Sequence, residues 1–195
     1  MKNLLKIISI TLCFVILCFA SGCGRVKANL TENPSLADSS YKLGDYMGDY
    51  TVTDVNGNSY TFSQLLETKK VIVLNFWFIN CGPCKMEFPY LQNAYNSYSD
   101  DIALLAISPI DSADDIRQYA SQNEFDIPFA AGEEEWATAF GLTGFPTTVV
   151  IDRYGSVAFM HMGAVTEDSV FEKIFEFFTA NNYKQTIVKN ISDIK

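Results

Sequence analysis

The chain has 195 residues, 48% of them hydrophobic, which is room for one well-buried domain and excludes a disordered protein. Its formal net charge is −9, and losing Lys2 and Lys6 with a cleaved leader would deepen it, so nucleic acid is not expected as a partner.

Lys2 and Lys6 precede an apolar run from Ile7 to Ala20, and no charge stands from Ile7 through Gly24. This is the pattern of a secretory signal over residues 1–22; a spanning helix needs about 20 apolar residues and would not end in small ones. The ending, Ala20-Ser21-Gly22-Cys23, resembles a bacterial lipobox, in which small residues precede a cysteine that is acylated and becomes the new N-terminus. A leucine is commoner where Ala20 stands. The expectation is an extracytoplasmic protein anchored to the bacterial cell membrane by lipid on Cys23. Residues 23–45, rich in Asn, Ser, Thr, Asp and Ala, have neither helical nor strand period and are expected to be a flexible tether.

A domain is expected over residues 46–185. Tyr50, Val52 and Thr53, then Asn56-Gly57, then Tyr60 and Phe62 predict a hairpin closed by a tight turn. Ser63 is placed to cap a short helix that turns Leu65 and Leu66 inward. The nearly unbroken apolar run Val71 to Ile79 predicts a strand buried on both faces. It stops at Cys81-Gly82-Pro83-Cys84, after which Met86, Phe88, Leu91, Tyr95 and Tyr98 recur at roughly helical spacing. Ile102 to Ile107 predicts a second strand, hence a right-handed parallel unit. Ser112 to about Gln122 predicts a helix opened by a capping box, Ile127 to Ala130 a short extended segment, and Glu133 to Phe140 a helix ended by Gly141. Val149 to Ile151 and Val157 to Met160 predict an antiparallel hairpin at one side of the sheet. In the last helix, from near Thr166, Val170, Phe171, Ile174, Phe177 and Phe178 make a stripe wide enough to cover a sheet face. Residues 186–195 are expected to be a loose tail.

The five cysteines separate by context: Cys13 and Cys18 leave with the signal, Cys23 carries lipid, and only Cys81 and Cys84 remain as thiols. One close pair is not a disulfide scaffold, and a bridge over so short a loop removes little chain entropy. Cys81 is expected at a helix N-terminus, where free N–H groups and the helix dipole favour a thiolate; the pair is therefore a reactive dithiol by position.

The order of strand, Trp77, Cys81-Gly82-Pro83-Cys84-Lys85, Pro89 within the helix, Gly144-Phe145-Pro146-Thr147-Thr148 before a hairpin, and a last amphipathic helix resembles the thioredoxin fold. The preceding hairpin, Lys85-Met86-Glu87-Phe88-Pro89 and the lipid anchor are similar to the membrane-tethered disulfide reductases of the ResA and TlpA kind, over roughly Tyr46 to Thr179. The resemblance implies an α/β fold: a thioredoxin-like three-layer α/β/α arrangement with a central mixed sheet and an N-terminal β-hairpin extension. It also implies that Cys81 attacks, Cys84 resolves, Pro146 is a cis-proline facing the disulfide, and Phe145 offers backbone to an extended substrate. Trp77 is expected to be core and a wall of the substrate site rather than a reactive group. Pro89 would kink the helix. Many thioredoxins keep an aspartate two residues before the tryptophan; Asn75 stands there and cannot titrate. Glu87 matches a glutamate of the ResA-like branch and is expected to take the resolving cysteine's proton. Asn80 replaces a frequent tryptophan and implies altered substrate contact. Lys85 is a candidate for thiolate stabilisation, beside its reading as a solvated lysine.

The expected activity is a disulfide reductase acting on protein substrates, without cofactor or metal, as a monomer supplied with electrons by a membrane thiol transporter. Apocytochrome c, as in cytochrome c maturation, methionine sulfoxide reductase, and cell-envelope or spore proteins are candidate substrates, and no residue chooses among them. The rival readings are a copper chaperone using the cysteines with Met160-His161-Met162, and a thiol peroxidase, which lacks here the upstream Pro and Thr/Ser that polarise peroxide. A binding domain with an inert disulfide is the remaining alternative. Strand alternation sends His161 to the face opposite the two methionines, against the copper reading.

Overall fold

A computed structural model describes residues 35–36, 39–132 and 134–194. The signal over 1–22 and Cys23 therefore lie outside the described residues. Among the described residues no helix is long and apolar enough to cross a membrane.

The hairpin of β1 (Thr51–Thr53) and β2 (Ser59–Thr61) leads into α1 (Phe62–Thr68). Then β3 (Val71–Phe76), α2 (Gly82–Tyr98), β4 (Ile102–Ser108), α3 (Ala113–Asn123) and β5 (Phe129–Ala131) follow. The chain continues through α4 (Glu134–Ala139), β6 (Thr147–Ile151), β7 (Val157–Met162) and α5 (Asp168–Thr179) to a 3-10 turn at Ile191–Asp193. The main sheet has the order β5-β4-β3-β6-β7. β4 is parallel to β3 and β5, whereas β6 is antiparallel to β3 and β7, so the sheet is mixed as expected.

β3 lies at the centre and is buried along its whole length, which is why its sequence is apolar without alternation. Val71, Val73 and Trp77 enter one core, beneath α2, α3 and α5; Ile72, Leu74 and Phe76 enter the other, beneath α1 and α4. Asn75 is on the first of these faces by alternation, under α2. The result is the three-layer arrangement implied by the motifs.

Several local expectations are corrected. Thr61, not Ser63, stands at the N-cap of α1, and Ser63 donates through its backbone N and Oγ to Asp49, both at 2.8 Å. The β1–β2 connection is not a two-residue turn, because Thr53 pairs with Ser59. It wraps around the Asp54 carboxylate, which accepts from the backbone N–H of Asn56 (2.8 Å) and Asn58 (2.9 Å). Gly57, at φ 90°, supplies the left-handed residue that this wrap requires. α5 begins at Asp168 and buries Phe175 together with Phe171, Ile174 and Phe178, leaving Val170 and Phe177 half-exposed.

Neither terminal segment is loose where it is described. Tyr41 donates its backbone N–H to the Ala139 carbonyl (2.7 Å) and its hydroxyl to the Met47 carbonyl (2.8 Å), so the domain begins before residue 46. At the other end Val188 donates to the Ala158 carbonyl (2.9 Å), pairs in parallel with Phe159, and is buried along with Ile194. Residues 186–194 are thus part of the packed domain rather than a tail.

Candidate active site

The C-terminal end of the central strand opens into a short loop, Trp77 to Asn80, tied at alternate residues. Trp77 donates its backbone N–H to the Ile107 carbonyl (3.1 Å), Ile79 to Asp111 Oδ2 (2.7 Å) and Cys81 to the Phe78 carbonyl (3.0 Å). Cys81 then caps α2 in extended conformation, and its Sγ accepts the backbone N–H of Cys84 at 3.1 Å. Pro83 lies in the first turn, where an N–H would have no helical partner. Cys81 and Cys84 form a disulfide, with Cα atoms 5.3 Å apart. Both residues are buried, Cys81 at 4% exposure and Cys84 at 1%.

The Phe145–Pro146 peptide bond is cis. The Phe145 ring meets the Phe78 ring edge-on at 5.4 Å, which brings this segment against the loop that delivers Cys81. The Pro146 carbonyl accepts the Gly163 N–H (2.9 Å), and Thr147 Oγ1 donates to the Gly144 carbonyl (2.8 Å). Two bonds thus hold the turn ahead of β6.

Glu87, one turn beyond Cys84 on α2, is 1% exposed rather than a solvated helix residue. Its Oε1 accepts from Asn75 Nδ2 (2.7 Å) and its Oε2 from the Val165 N–H (2.8 Å). Burial, partly offset by these two donors, pushes its carboxyl up to about 7. At neutral pH the group stands near half-ionised, able to accept a proton and to return it. Asn75 Nδ2 also donates to Thr148 Oγ1 (3.2 Å) on β6, so the amide orients the carboxylate instead of titrating.

Trp77, expected to line the substrate site, is fully buried, with Phe88 and Phe129 edge-on at 5.0 and 5.2 Å. An indole enclosed by aromatic rings presents no face to a substrate; its part is packing beneath the motif. Lys85 Nζ lies over the Tyr119 ring, 5.7 Å from its centroid, a contact that favours an ammonium held on α3. Asn80 is exposed beside Cys81, where a substrate can touch it. Pro89 stands inside α2, which continues through it to Tyr98. Met160 packs in the core under α1 and α4, His161 stacks on Phe159 of the opposite core, and Met162 is largely exposed. The methionine and histidine side chains therefore diverge, as alternation predicts.

Asp111, Thr148 and Val165 enter the site without having been singled out from the sequence. Val165 and Thr148 act through geometry that no local pattern encodes. Asp111 had a signal: it lies just past the C-terminal end of β4, and in parallel sheets such ends converge on the site.

A model of the AhpC/TSA family matches residues 43–160. The thioredoxin-like protein YneN of Bacillus subtilis is 25% identical over 150 residues, covering 75% of this chain and 86% of that protein. The thiol-disulfide oxidoreductase ResA of Halalkalibacterium halodurans is 24% identical over 147 residues, covering 74% of this chain and 80% of that protein. The crystal structure of a thioredoxin-family thiol:disulfide interchange protein from Chlorobium tepidum TLS superposes with a TM-score of 0.62 at 20% identity, covering 73% of this chain and 99% of that one. That likeness identifies the fold as thioredoxin-like.

Proposed function

The chain belongs to the AhpC/TSA family and is a thiol-disulfide oxidoreductase, and from that premise we propose that it reduces disulfides in protein substrates outside the cytoplasm. The observation that carries this reading is the Cys81–Cys84 disulfide at the N-terminus of α2, with Cys81 at the N-cap and Glu87 buried one turn beyond Cys84.

The reaction starts from the reduced pair. The Cys81 thiolate, held by the helix N-terminus, attacks one sulfur of a substrate disulfide; a mixed disulfide forms and the other substrate sulfur leaves as a thiolate, taking up a proton. Cys84 passes its proton to the Glu87 carboxylate and attacks Cys81 Sγ, releasing the second substrate thiolate. Two electrons have then moved to the substrate, and the enzyme is left as the disulfide. Asn75 positions the Glu87 carboxylate for this transfer. Phe145 and Pro146 supply the wall against which an extended substrate segment lies, and exposed Asn80 adds a polar contact at its edge.

The lysine-flanked apolar leader and the Ala20-Ser21-Gly22-Cys23 ending support secretion and a lipid anchor on Cys23. A membrane thiol transporter fits as the donor that returns the pair to its reduced state. The Gly-Pro dipeptide between the cysteines supports reduction over oxidation as the direction.

The deciding measurement is the reduction potential of the Cys81/Cys84 pair, with insulin reduction as the activity. A potential near the roughly −270 mV of thioredoxin supports a reductant, and one near the roughly −120 mV of strong oxidants overturns that direction. Cys81→Ser should abolish insulin reduction, and Cys84→Ser should trap substrate as a mixed disulfide. Failure of the reduced wild type to reduce insulin would leave an inert disulfide as the better account. Cys23→Ala should release the protein from the membrane fraction.

A further inference from the structure

Asp111 is the group outside the exchange chemistry that is tied most directly to the segment delivering Cys81. It sits just past β4, half-buried, and its Oδ2 accepts two hydrogen bonds: from the Ile79 N–H at 2.7 Å and from Ser108 Oγ at 2.7 Å. The Asp111 N–H in turn donates to Ser108 Oγ (3.2 Å), and Ser108 is fully buried. The carboxylate is thereby locked to the end of β4, and through Ile79 it locks the middle of the Trp77–Asn80 loop. The flanking ties of that loop are backbone to backbone, at Trp77 and Cys81. Asp111 supplies the intervening tie with a side chain.

We propose that Asp111 is a positioning residue for the exchange reaction, fixing the loop so that Cys81 sits at the N-cap of α2, where its sulfur receives the Cys84 N–H of the first helical turn. The proposal rests on the function above only in taking Cys81 as the attacking thiol. Stabilisation by a helix terminus falls off within one turn, so a small displacement of the N-cap residue costs the thiolate much of it. The Asp111 charge acts the opposite way, since an anion near a thiol disfavours the thiolate. Lys85 on α2, Asp115 at the start of α3 and Tyr119 on α3 line the same surface pocket as Asp111 and Ile79, and Glu87 is on the buried face of α2. All of these stay constant when position 111 alone is changed. Because both accepted bonds go to one oxygen, an asparagine reproduces them with its Oδ1 while removing the charge.

Two variants separate the roles. The Cys81 thiol is titrated in reduced wild type, Asp111→Ala and Asp111→Asn by its rate of alkylation against pH, with thermal unfolding of each as a check on folding. Positioning requires the titration of Asp111→Ala to move up toward the free-cysteine value of about 8.5. A rise of about one unit cuts the thiolate fraction about tenfold at pH values below the midpoint. The greater nucleophilicity of a more basic sulfur returns about threefold, so alkylation and insulin reduction there fall about threefold. Asp111→Asn should restore most of this loss. A downward shift in both variants would show that Asp111 acts only as a charge and overturns the proposal. An unchanged titration with a lowered melting temperature would make it a structural residue, which also overturns it. The alkylation readout needs no substrate disulfide, so it stands even if wild type fails to reduce insulin.

Discussion

At the scale of single residues, Glu87 is where burial and chemistry meet. Its carboxyl titrates at about 7 in the folded chain against an ordinary 4.5, with burial the larger cause. The folded state therefore holds the proton more tightly than the unfolded one. Stability is fully present below about 4.5 and declines as pH rises through about 7, by about 3 kcal/mol over the window. Glu87→Gln has no such proton to lose. Urea unfolding of the oxidised proteins at pH 4.5 and pH 8 should show wild type losing about 3 kcal/mol relative to the variant; parallel behaviour of the two would refute the buried-acid account. In the reduced protein the same substitution should shift the Cys84 titration and slow turnover, with the thiol titration curve and insulin reduction as the checks. Glu87 was legible in the sequence through the family resemblance, which implies a glutamate in the helix just after the motif. Its contacts were not: Asn75 and Val165 donate to it and Thr148 accepts from Asn75, from two strands and a loop brought together only by sheet register and by the seating of α5.

At the scale of elements, sequence patterns were legible where they were long or chemically explicit. β3 and β4 could be read because central strands covered on both faces need uninterrupted apolar residues. The start of α3 was explicit as well. Ser112 Oγ accepts the Asp115 N–H at 3.2 Å and donates to Asp115 Oδ2 at 2.6 Å. Ser112→Ala removes that cap and should cost about 1 kcal/mol, or about 2–4 °C in melting temperature for a domain of this size, measured by thermal unfolding. A change within error would mean that water replaces the serine. The short elements were less legible. Ser63 carries the right chemistry for a cap, but Asp49, distant in sequence, takes both its donors. The Asn56-Gly57 dipeptide signals a two-residue turn, yet Val55 must reach β5, where its N–H donates to the Phe129 carbonyl (2.8 Å), and that demand lengthens the loop.

At the scale of the whole molecule, both edges of the sheet are covered by segments that no periodicity announces. On the β5 side Val55 takes the Phe129 carbonyl, and Arg117 Nε holds the Val55 carbonyl at 2.8 Å. On the β7 side Tyr46 bridges Ser156 and Val188 bridges Phe159. Exposed edges invite pairing with other chains, and these covers remove that opening on both sides of the sheet. The C-terminal cover is further anchored by Tyr183, whose hydroxyl donates to Asp152 Oδ2 at 2.9 Å, and Asp152 is fully buried. Tyr183→Phe leaves that carboxylate oxygen short of a donor and should cost about 1.5–3 kcal/mol. Deleting residues 186–195 is the stronger test of the cover. It removes the burial of Val188 and Ile194 and strips the Val188 pairing from β7. The area term alone is about 3 kcal/mol, or on the order of 10 °C in melting temperature. A freed edge should also make the truncated protein associate as its concentration rises, read by light scattering. Since the deletion lies on the β7 side of α5 and not at the Cys81 loop, insulin reduction below the melting point should survive in the monomer. Loss of activity without loss of stability would mean that the C-terminal segment belongs to the site rather than to the edge.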